Sequence, residues 1–171
     1  EMERMGVRCC WAFPFMLNAD WKMANNDVIA ALGKFPDRFW GFGTLSPHFP
    51  GEVIPELERC LAAGCVGVKL HPDMHQYDAD KVDWSEMLSY LDRYGLICHS
   101  HYFGSPATME RLVIRYPKVT FVASHFHPPY ADVVKRCDNL YVCACTPWGM
   151  RSLESFVEQV GASRVLLGSD F

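Results

Sequence analysis

The sequence lacks the features that mark membrane spans, secretion signals and nucleic-acid-binding surfaces. It has no apolar run long enough to cross a bilayer, no run of Lys or Arg, and no basic leader followed by an apolar stretch. The formal net charge is −4, so we expect no attraction to phosphate backbones or to anionic lipid surfaces. These absences exclude nucleic acid and membranes as expected partners.

The sequence also lacks a Cys-x-x-Cys pair, although it contains eight cysteines. The 171 residues suffice for a sizeable core without disulfide bonds. We therefore predict reduced thiols and a cytoplasmic protein. Cys143 and Cys145 share one face of a predicted strand. Two packed thiols are the favoured interpretation of this pair, with a metal site as the alternative, because thiolate sites usually recruit more cysteines.

What the sequence does contain is a regular alternation of apolar, strand-like segments with amphipathic helices. The helices carry apolar residues at helical spacing, and glycine or proline follows most of them. The predicted strands are 7–13, 39–45, 66–70, 95–104, 119–124, 140–145 and 165–168. The predicted helices are about 25–35, 52–63, 84–94, 106–116, 128–136 and 152–160. Asn25 or Asn26 is expected to cap the first of these helices, and Ser152 to open the last.

This alternation predicts an α/β fold built from parallel strands. The strands are nearly continuous apolar runs, as in sheets that helices cover on both faces. An open doubly wound sheet and a (β/α)₈ barrel both satisfy the pattern. The first and last recognisable elements are strands, which favours a TIM-barrel-like fold that lacks one strand at its start and one helix at its end. We expect residues 1–171 to form a single domain.

Potential metal ligands follow several of the predicted strands. His99 and His101 alternate in one strand, and His125 and Asp170 follow two later strands. Functional residues of parallel barrels lie at the carboxyl ends of the strands, so these side chains are expected at one mouth. Neutral imidazole is the commonest protein ligand for transition metals. The pattern indicates one shared site.

The candidates differ in the roles that we expect of them. His101 is interpreted as a metal ligand and His125 as a ligand or catalytic base. A carboxylate after an apolar strand is costly unless it meets a cation, so a functional role is favoured for Asp170. His99 lies deeper in its strand, so a buried, hydrogen-bonded core position is favoured, with substrate contact as the alternative.

Two further candidates lie at the end of the third predicted strand. Lys69 is a candidate for pairing with a substrate carboxylate or for a carbamylated metal bridge, with a structural ion pair as the alternative. His71 precedes a proline, and a role in supporting the turn is as well founded as contact with substrate.

Four features together resemble the amidohydrolase-related family: GVKLHP at 67–72, GLICHSH at 95–101, a proline eight residues before His125, and RVLLGSDF at 164–171. KFPDRFWGF at 34–42 also resembles a segment of that family. The resemblance implies a metal-dependent hydrolase or decarboxylase on a barrel fold. It aligns His101 and His125 with the histidines of the fifth and sixth barrel strands, and Asp170 with the aspartate of the eighth. It aligns Lys69 with a lysine that some members carboxylate to bridge two metals.

One departure from the family pattern concerns the first barrel strand, which carries a His-x-His pair in the family. No such pair precedes residue 7 here. We therefore expect the sequence to be a piece of a longer protein whose preceding strand supplies the remaining ligands.

The resemblance leads to a first functional hypothesis of metal-dependent hydrolysis of an ester, lactone or amide. Zinc is the expected ion, with manganese as the alternative. Asp170 or His125 would take the proton of the attacking water, and Lys69 and Arg151 would hold a substrate carboxylate, with His71 and His99 as further substrate contacts. We expect a small-molecule substrate as the partner. Assembly into a homo-oligomer stays open.

Two other functions remain open. The same site would serve non-oxidative decarboxylation of an aromatic or unsaturated acid, for which Trp11, Phe103 and Trp148 would suit a planar substrate. A truncated, inactive barrel acting as a binding module is the second alternative, because open sheet edges favour pairing with other chains.

Overall fold

The structure, a computed structural model, describes residues 2–14, 21–145 and 150–170, without the side chains of residues 150 and 151. The chain divides into two compact units, Glu1–Leu70 and His71–Phe171. Each unit has its own strands, helices and buried residues, and each is described by itself. A single domain over residues 1–171 stays a prediction.

The described residues of the first unit form three parallel strands and two helices. The strands are Cys10–Ala12 (β1), Phe39–Thr44 (β2) and Gly67–Leu70 (β3), and the helices are Trp21–Lys34 (α1) and Pro50–Ala62 (α2). β2 lies between the other two strands, with Cys10 opposite Phe39 and Phe42 opposite Gly67. A helix separates each pair of consecutive strands, which is the arrangement that the sequence pattern predicts.

Two glycines of β2 allow the helices of this unit to pack closely on the sheet. A Cβ atom at Gly41 would lie 2.6 Å from Leu32 Cδ1 of α1, and one at Gly43 would lie 2.7 Å from Cys60 Sγ of α2. Both distances are shorter than ordinary van der Waals contact. The helices contribute to one buried cluster, which consists of Val28, Leu32, Cys60 and Cys65.

The predicted start of the first helix is wrong. α1 begins at Trp21, and Asn25 lies inside it as a completely buried side chain. Asn25 Nδ2 donates to the Thr44 carbonyl at 3.0 Å and to Glu56 Oε1 at 2.8 Å, while its Oδ1 accepts from the Thr44 N–H at 2.7 Å. Asn25 therefore connects α1 to the end of β2 and to α2, because the buried backbone of Thr44 needs polar partners.

In the second unit, the part of the chain that the structure describes forms four strands and four α-helices. The strands are Ile97–Ser100 (β4), Thr120–Ser124 (β5), Leu140–Ala144 (β6) and Val165–Leu167 (β7). The helices are Ser85–Tyr94 (α3), Pro106–Arg115 (α4), Ala131–Arg136 (α5) and Met150–Val160 (α6), with short 3-10 turns at Pro128–Tyr130 and Ala162–Arg164. The four strands pair in chain order and in parallel.

Local signals in the sequence set most helix ends of this unit. Gly95 ends α3 in the left-handed conformation at φ 65°, which costs glycine little. Ser105 caps α4, where its hydroxyl accepts from the Thr108 N–H at 3.3 Å, and Pro106 takes the first helical position. The prediction that Ser152 opens the last helix is wrong, since α6 begins at Met150.

The predicted fold class is confirmed: along the described residues, three parallel strands of the first unit and then four of the second alternate with helices, as in a (β/α) barrel. Strands β2 to β6 are mostly buried, in agreement with their apolar sequences. Among the described residues, no helix is both long and apolar enough to cross a lipid bilayer.

Candidate metal centre

His101 lies in the loop that follows β4, and buried hydrogen bonds fix that loop. Ser100 Oγ donates to the Tyr102 carbonyl at 2.6 Å. The hydroxyl of Tyr130 accepts from the Phe103 N–H at 2.9 Å and donates to the Gly104 carbonyl at 2.7 Å. The loop is therefore held on both sides of His101, which keeps this imidazole near the end of its strand.

His125 is the first residue after β5, and its backbone is in the left-handed region at φ 58°. Phe126 follows with φ 36°, and its N–H donates to the carbonyl of Cys143 in β6 at 3.0 Å. Left-handed backbone is uncommon for residues other than glycine and costs about 1–3 kcal/mol at each position. Such conformations cluster at functional sites, where the surrounding structure enforces them.

Asp170 follows β7 and also has a left-handed backbone, at φ 59°. Its side chain is exposed. We expected the carboxylate to be held at a desolvation cost, and the structure shows instead that solvent reaches it. Exposure leaves this carboxylate open to water.

His125 and Asp170 form a group with a third donor, Cys145. One ligand atom from each residue lies within 4.8 Å of the others, and Cys145 Sγ is 3.4 Å from His125 Nδ1. The structure thus brings together two of the three predicted ligands. The sequence pattern pointed to Cys145 as one of two thiols on a strand, but packed thiols were favoured there, so its place in this group was missed.

The third predicted ligand, His101, lies in a second group with His71 and Asp73. Their ligand atoms are also within 4.8 Å of one another, and His101 Nε2 is 3.8 Å from Asp73 Oδ2. Tyr102 donates its hydroxyl to Asp73 Oδ1 at 3.2 Å. Asp73 was not a candidate from the sequence, because it lies in a polar loop where an exposed carboxylate is ordinary.

The two groups are adjacent through their histidines. The ring centroids of His101 and His125 are 4.6 Å apart, and those of His71 and His101 are 4.2 Å apart. Three imidazoles of the second unit, those of His71, His101 and His125, therefore lie next to one another. The ends of β4, β5, β6 and β7 each contribute one donor to this region.

The surroundings shift the acidity of two groups in the region. The pKa of the Cys145 thiol is lowered, mainly by a hydrogen bond with Cys143. Burial raises this pKa, and the contact with His125 lowers it further. Burial, followed by the nearby Asp73 carboxylate, raises the pKa of Tyr102. Tyr102 therefore stays a neutral hydroxyl that can donate to Asp73.

The donor set fits a divalent transition metal. His125, Cys145 and Asp170 offer a nitrogen, a sulfur and an oxygen, the three ligand types that proteins use for zinc. The second group offers two nitrogens and one oxygen, a set that suits zinc or manganese. None of the six described side chains carries a fixed positive charge that would repel a cation.

The predicted substrate contacts lie in different places. His99 is buried, with Nε2 3.0 Å from Ser124 Oγ, in agreement with the hydrogen-bonded core position predicted for it. His71 Nδ1 accepts from the Met74 N–H at 3.4 Å, so this histidine does support a turn. Lys69 is buried in the first unit with its ammonium 5.2 Å from the Phe13 ring centroid. The Arg151 side chain lies outside the described residues. For all four, contact with substrate stays a prediction.

Comparisons with solved structures place the fold among TIM barrels. An uncharacterized TIM-barrel protein from Bordetella bronchiseptica aligns with a TM-score of 0.80 at 19% identity, over 99% of this chain and 67% of its own. The 4-oxalomesaconate hydratase of Rhodopseudomonas palustris aligns with a TM-score of 0.73 at 18% identity, over 98% of this chain and 64% of its own.

A third similar structure holds a metal. The 5-carboxyvanillate decarboxylase of Novosphingobium aromaticivorans, solved with bound manganese and 3-methoxy-4-hydroxy-5-nitrobenzoic acid, aligns with a TM-score of 0.74 at 14% identity. The alignment covers 98% of this chain and 68% of the decarboxylase. At these identities the likeness concerns the fold.

The family is established by sequence. The profile of the amidohydrolase family matches residues 14–171, which is nearly the whole chain and includes every donor described above. The resemblance that the four sequence features carry is thereby confirmed. The chain belongs to the amidohydrolase family and is an enzyme of that superfamily.

Proposed function

We propose that the protein is a metal-dependent hydrolase that acts on an ester, lactone or amide bond of a small, carboxylate-bearing substrate. One observation carries the proposal: a histidine, a cysteine and an aspartate from three strand ends have ligand atoms within 4.8 Å of one another. The carboxylate among them is exposed, so water and substrate have access to it. A metal-assisted reaction with water needs both of these features.

His125 and Asp170 would hold the divalent ion, with His101 contributing from the adjacent group. We propose zinc as the ion and manganese as the alternative. A bound divalent ion supplies Lewis-acid chemistry, which polarises a substrate carbonyl and makes water more acidic. The left-handed backbone at His125 and Asp170 supports this assignment, because both side chains are aimed by local conformations that cost free energy.

The same two side chains can move the proton. The carboxylate of Asp170 is an acceptor for the proton of an attacking water, and solvent reaches it. The imidazole of His125 has two ring nitrogens, one of which faces Cys145. A ring nitrogen that carries a proton can donate it to the leaving group or to the oxygen that gains charge.

Non-oxidative decarboxylation is the second candidate. The observation that favours it is the manganese-bound decarboxylase among the structures with this fold. The aromatic residues give it less support, because Phe103 is buried and its ring packs against Phe121 with centroids 5.5 Å apart. Trp11 packs on Phe13 and Phe42 in the first unit, and Trp148 lies outside the described residues.

Parallel assays of the zinc- and manganese-loaded protein separate the two reactions. Carboxylate-bearing esters, lactones and amides are followed by product formation, and aromatic and unsaturated acids by release of carbon dioxide. The hydrolase proposal expects turnover in the first set, with at least a 100-fold loss in Asp170→Asn, of the order expected when a general base is removed. Asp138→Asn, which changes an exposed aspartate paired with the partly buried Arg164, is the matched control. Carbon dioxide release without hydrolysis overturns the hydrolase in favour of the lyase.

A further inference from the structure

We propose that Cys145 is a thiolate ligand of the ion that His125 and Asp170 hold, and that it makes the site selective for zinc over manganese. The inference rests on the proposed metal-dependent function and specifies the metal chemistry of the same site. It replaces the sequence-based interpretation of Cys145 as a packed thiol.

The pairing of β6 with β7 brings Cys145 next to the segment that carries Asp170. Ala144 is opposite Leu167 in the parallel register, so Cys145 leaves β6 where Gly168 leaves β7. A Cβ atom at Gly168 would lie 2.7 Å from Cys143 Sγ and 3.0 Å from Cys145 Cβ. Because glycine has no Cβ, the two chain segments approach closely enough for the thiol and the carboxylate to share one ion.

The turn after β5 brings the imidazole to the same point. The hydrogen bond from the Phe126 N–H to the Cys143 carbonyl ties that turn to β6, two residues before Cys145. His125 Nδ1 then lies 3.4 Å from Cys145 Sγ. Three strand ends thus meet at one thiol, and the backbone contacts that bring them together do not involve the donor atoms.

The position of the Cys145 side chain also differs from that of a packing residue. Cys143, its neighbour on the same face, is buried among the core residues, whereas Cys145 is only partly buried. The Cys145 sulfur lies near an imidazole and a carboxylate, and it also contacts the Cys143 carbonyl at 3.7 Å. A thiol that served as a small hydrophobe would be surrounded by apolar groups.

A sulfur ligand decides which ion the site prefers. Thiolate is a soft ligand that suits zinc, while manganese prefers carboxylate, carbonyl and water oxygens. Binding through sulfur exchanges the thiol proton for the metal, and the proton leaves to the solvent. Removing the sulfur should therefore lower the affinity for zinc much more than the affinity for manganese.

Cobalt substitution tests the sulfur ligand directly, because thiolate bound to Co²⁺ produces an intense charge-transfer band in the near ultraviolet. The protein, stripped of metal by chelation, is titrated with Co²⁺. We expect visible d–d bands together with the charge-transfer band in the parent protein. In Cys145→Ser we expect the charge-transfer band to disappear. Cys137→Ser, at the opposite end of β6, should keep both features.

Competition titrations with Zn²⁺ and Mn²⁺ give the second readout. Zinc affinity should fall in Cys145→Ser by more than the ~10–100-fold that the loss of an outer-shell partner costs. Manganese affinity should change by less than about threefold, because oxygen ligands suit that ion. An unfolding curve like that of the parent shows that the variant is folded.

The outcomes distinguish the inference from the proposed function. If Co²⁺ binds with d–d bands but no thiolate band, or if Cys145→Ser keeps the band, Cys145 is not a ligand and the metal-dependent hydrolase stands. If the parent protein binds no Co²⁺, both the inference and the proposed function fail.

Discussion

The imidazole rings of His101 and His125 lie 4.6 Å apart, although the complete helix α4 and the strand β5 separate them in the chain. Each ring stands at the carboxyl end of its strand, and β4 and β5 pair in parallel with His99 opposite Val122. Parallel pairing aligns the two strand ends, so histidines that follow neighbouring strands become neighbours in space. This relationship connects the two donor groups of the second unit.

Replacing His101 with alanine should reduce metal binding. The proposal gives His101 a share of the ion held by His125 and Asp170, so zinc affinity should fall by about tenfold or more. Metal content after dialysis, measured by mass spectrometry, checks this. His48→Ala, which changes an exposed histidine of the first unit, is the control. Unchanged metal content in His101→Ala would count against the assignment of this residue.

Replacing Asn25 with alanine should destabilise the first unit by about 2–4 kcal/mol, because it leaves the buried N–H and carbonyl of Thr44 without their side-chain partner. Urea unfolding gives the free-energy difference. Asn26→Ala, one position along the same helix and exposed, should change the free energy of unfolding by less than about 0.5 kcal/mol. Equal losses in the two variants would contradict the structural role of Asn25.

Glu56 should make stability depend on pH. Burial raises its pKa, but hydrogen bonds from Arg59 and Asn25 outweigh burial and hold the pKa below its usual value. A pKa that is lower in the folded state means that the folded protein releases this proton more readily. The stabilisation is therefore complete above the unfolded pKa, about 4.3, and is lost as the pH falls through the folded value.

The measurement is the free energy of unfolding between about pH 6 and pH 3. Over that range the parent should lose more stability than Glu56→Gln, which has no carboxyl group to titrate. Glu58→Gln, exposed on the same helix, controls for the loss of one negative charge. A Glu56→Gln variant with the same acid slope as the parent would show that this carboxylate is not a source of acid sensitivity.

Replacing Tyr130 with phenylalanine should loosen the loop that carries His101. The buried hydroxyl accepts from Phe103 and donates to Gly104, and burial, the main cause, raises its pKa to about 12, so it remains a donor at neutral pH. Losing it should cost about 1–3 kcal/mol, because a buried N–H is left without a partner. Urea unfolding measures the change, with Tyr94→Phe, exposed on α3, as the reference.

The periodicity of the sequence predicted, in order, every strand and α-helix that the structure describes. It succeeded because parallel strands buried on both faces are continuous apolar runs, and because glycine, proline and serine mark the helix ends. Ser105 and Gly95 show this: each acts through its own backbone and nearest neighbours. Asn25 shows the limit, since its partners Thr44 and Glu56 are distant in the chain and override its tendency to cap.

The sequence predicted one part of the candidate site, the positions of its residues after strands, but not how those residues are grouped. The positions of His101, His125 and Asp170 after strands follow from local pattern and from the family resemblance. Their division into two groups does not, because it depends on how each loop turns after its strand. Cys145 and Asp73 entered those groups through tertiary contacts that leave no periodic signal in the sequence.

The central claim is that His125 and Asp170 hold one divalent ion, and anomalous diffraction tests it most directly. Crystals of the protein soaked in Zn²⁺ or Mn²⁺ are measured at the absorption edge of each metal. The account predicts an anomalous peak about 2.0–2.2 Å from a ring nitrogen of His125 and from a carboxylate oxygen of Asp170. A metal-soaked crystal whose anomalous peaks all lie away from these two side chains would contradict it.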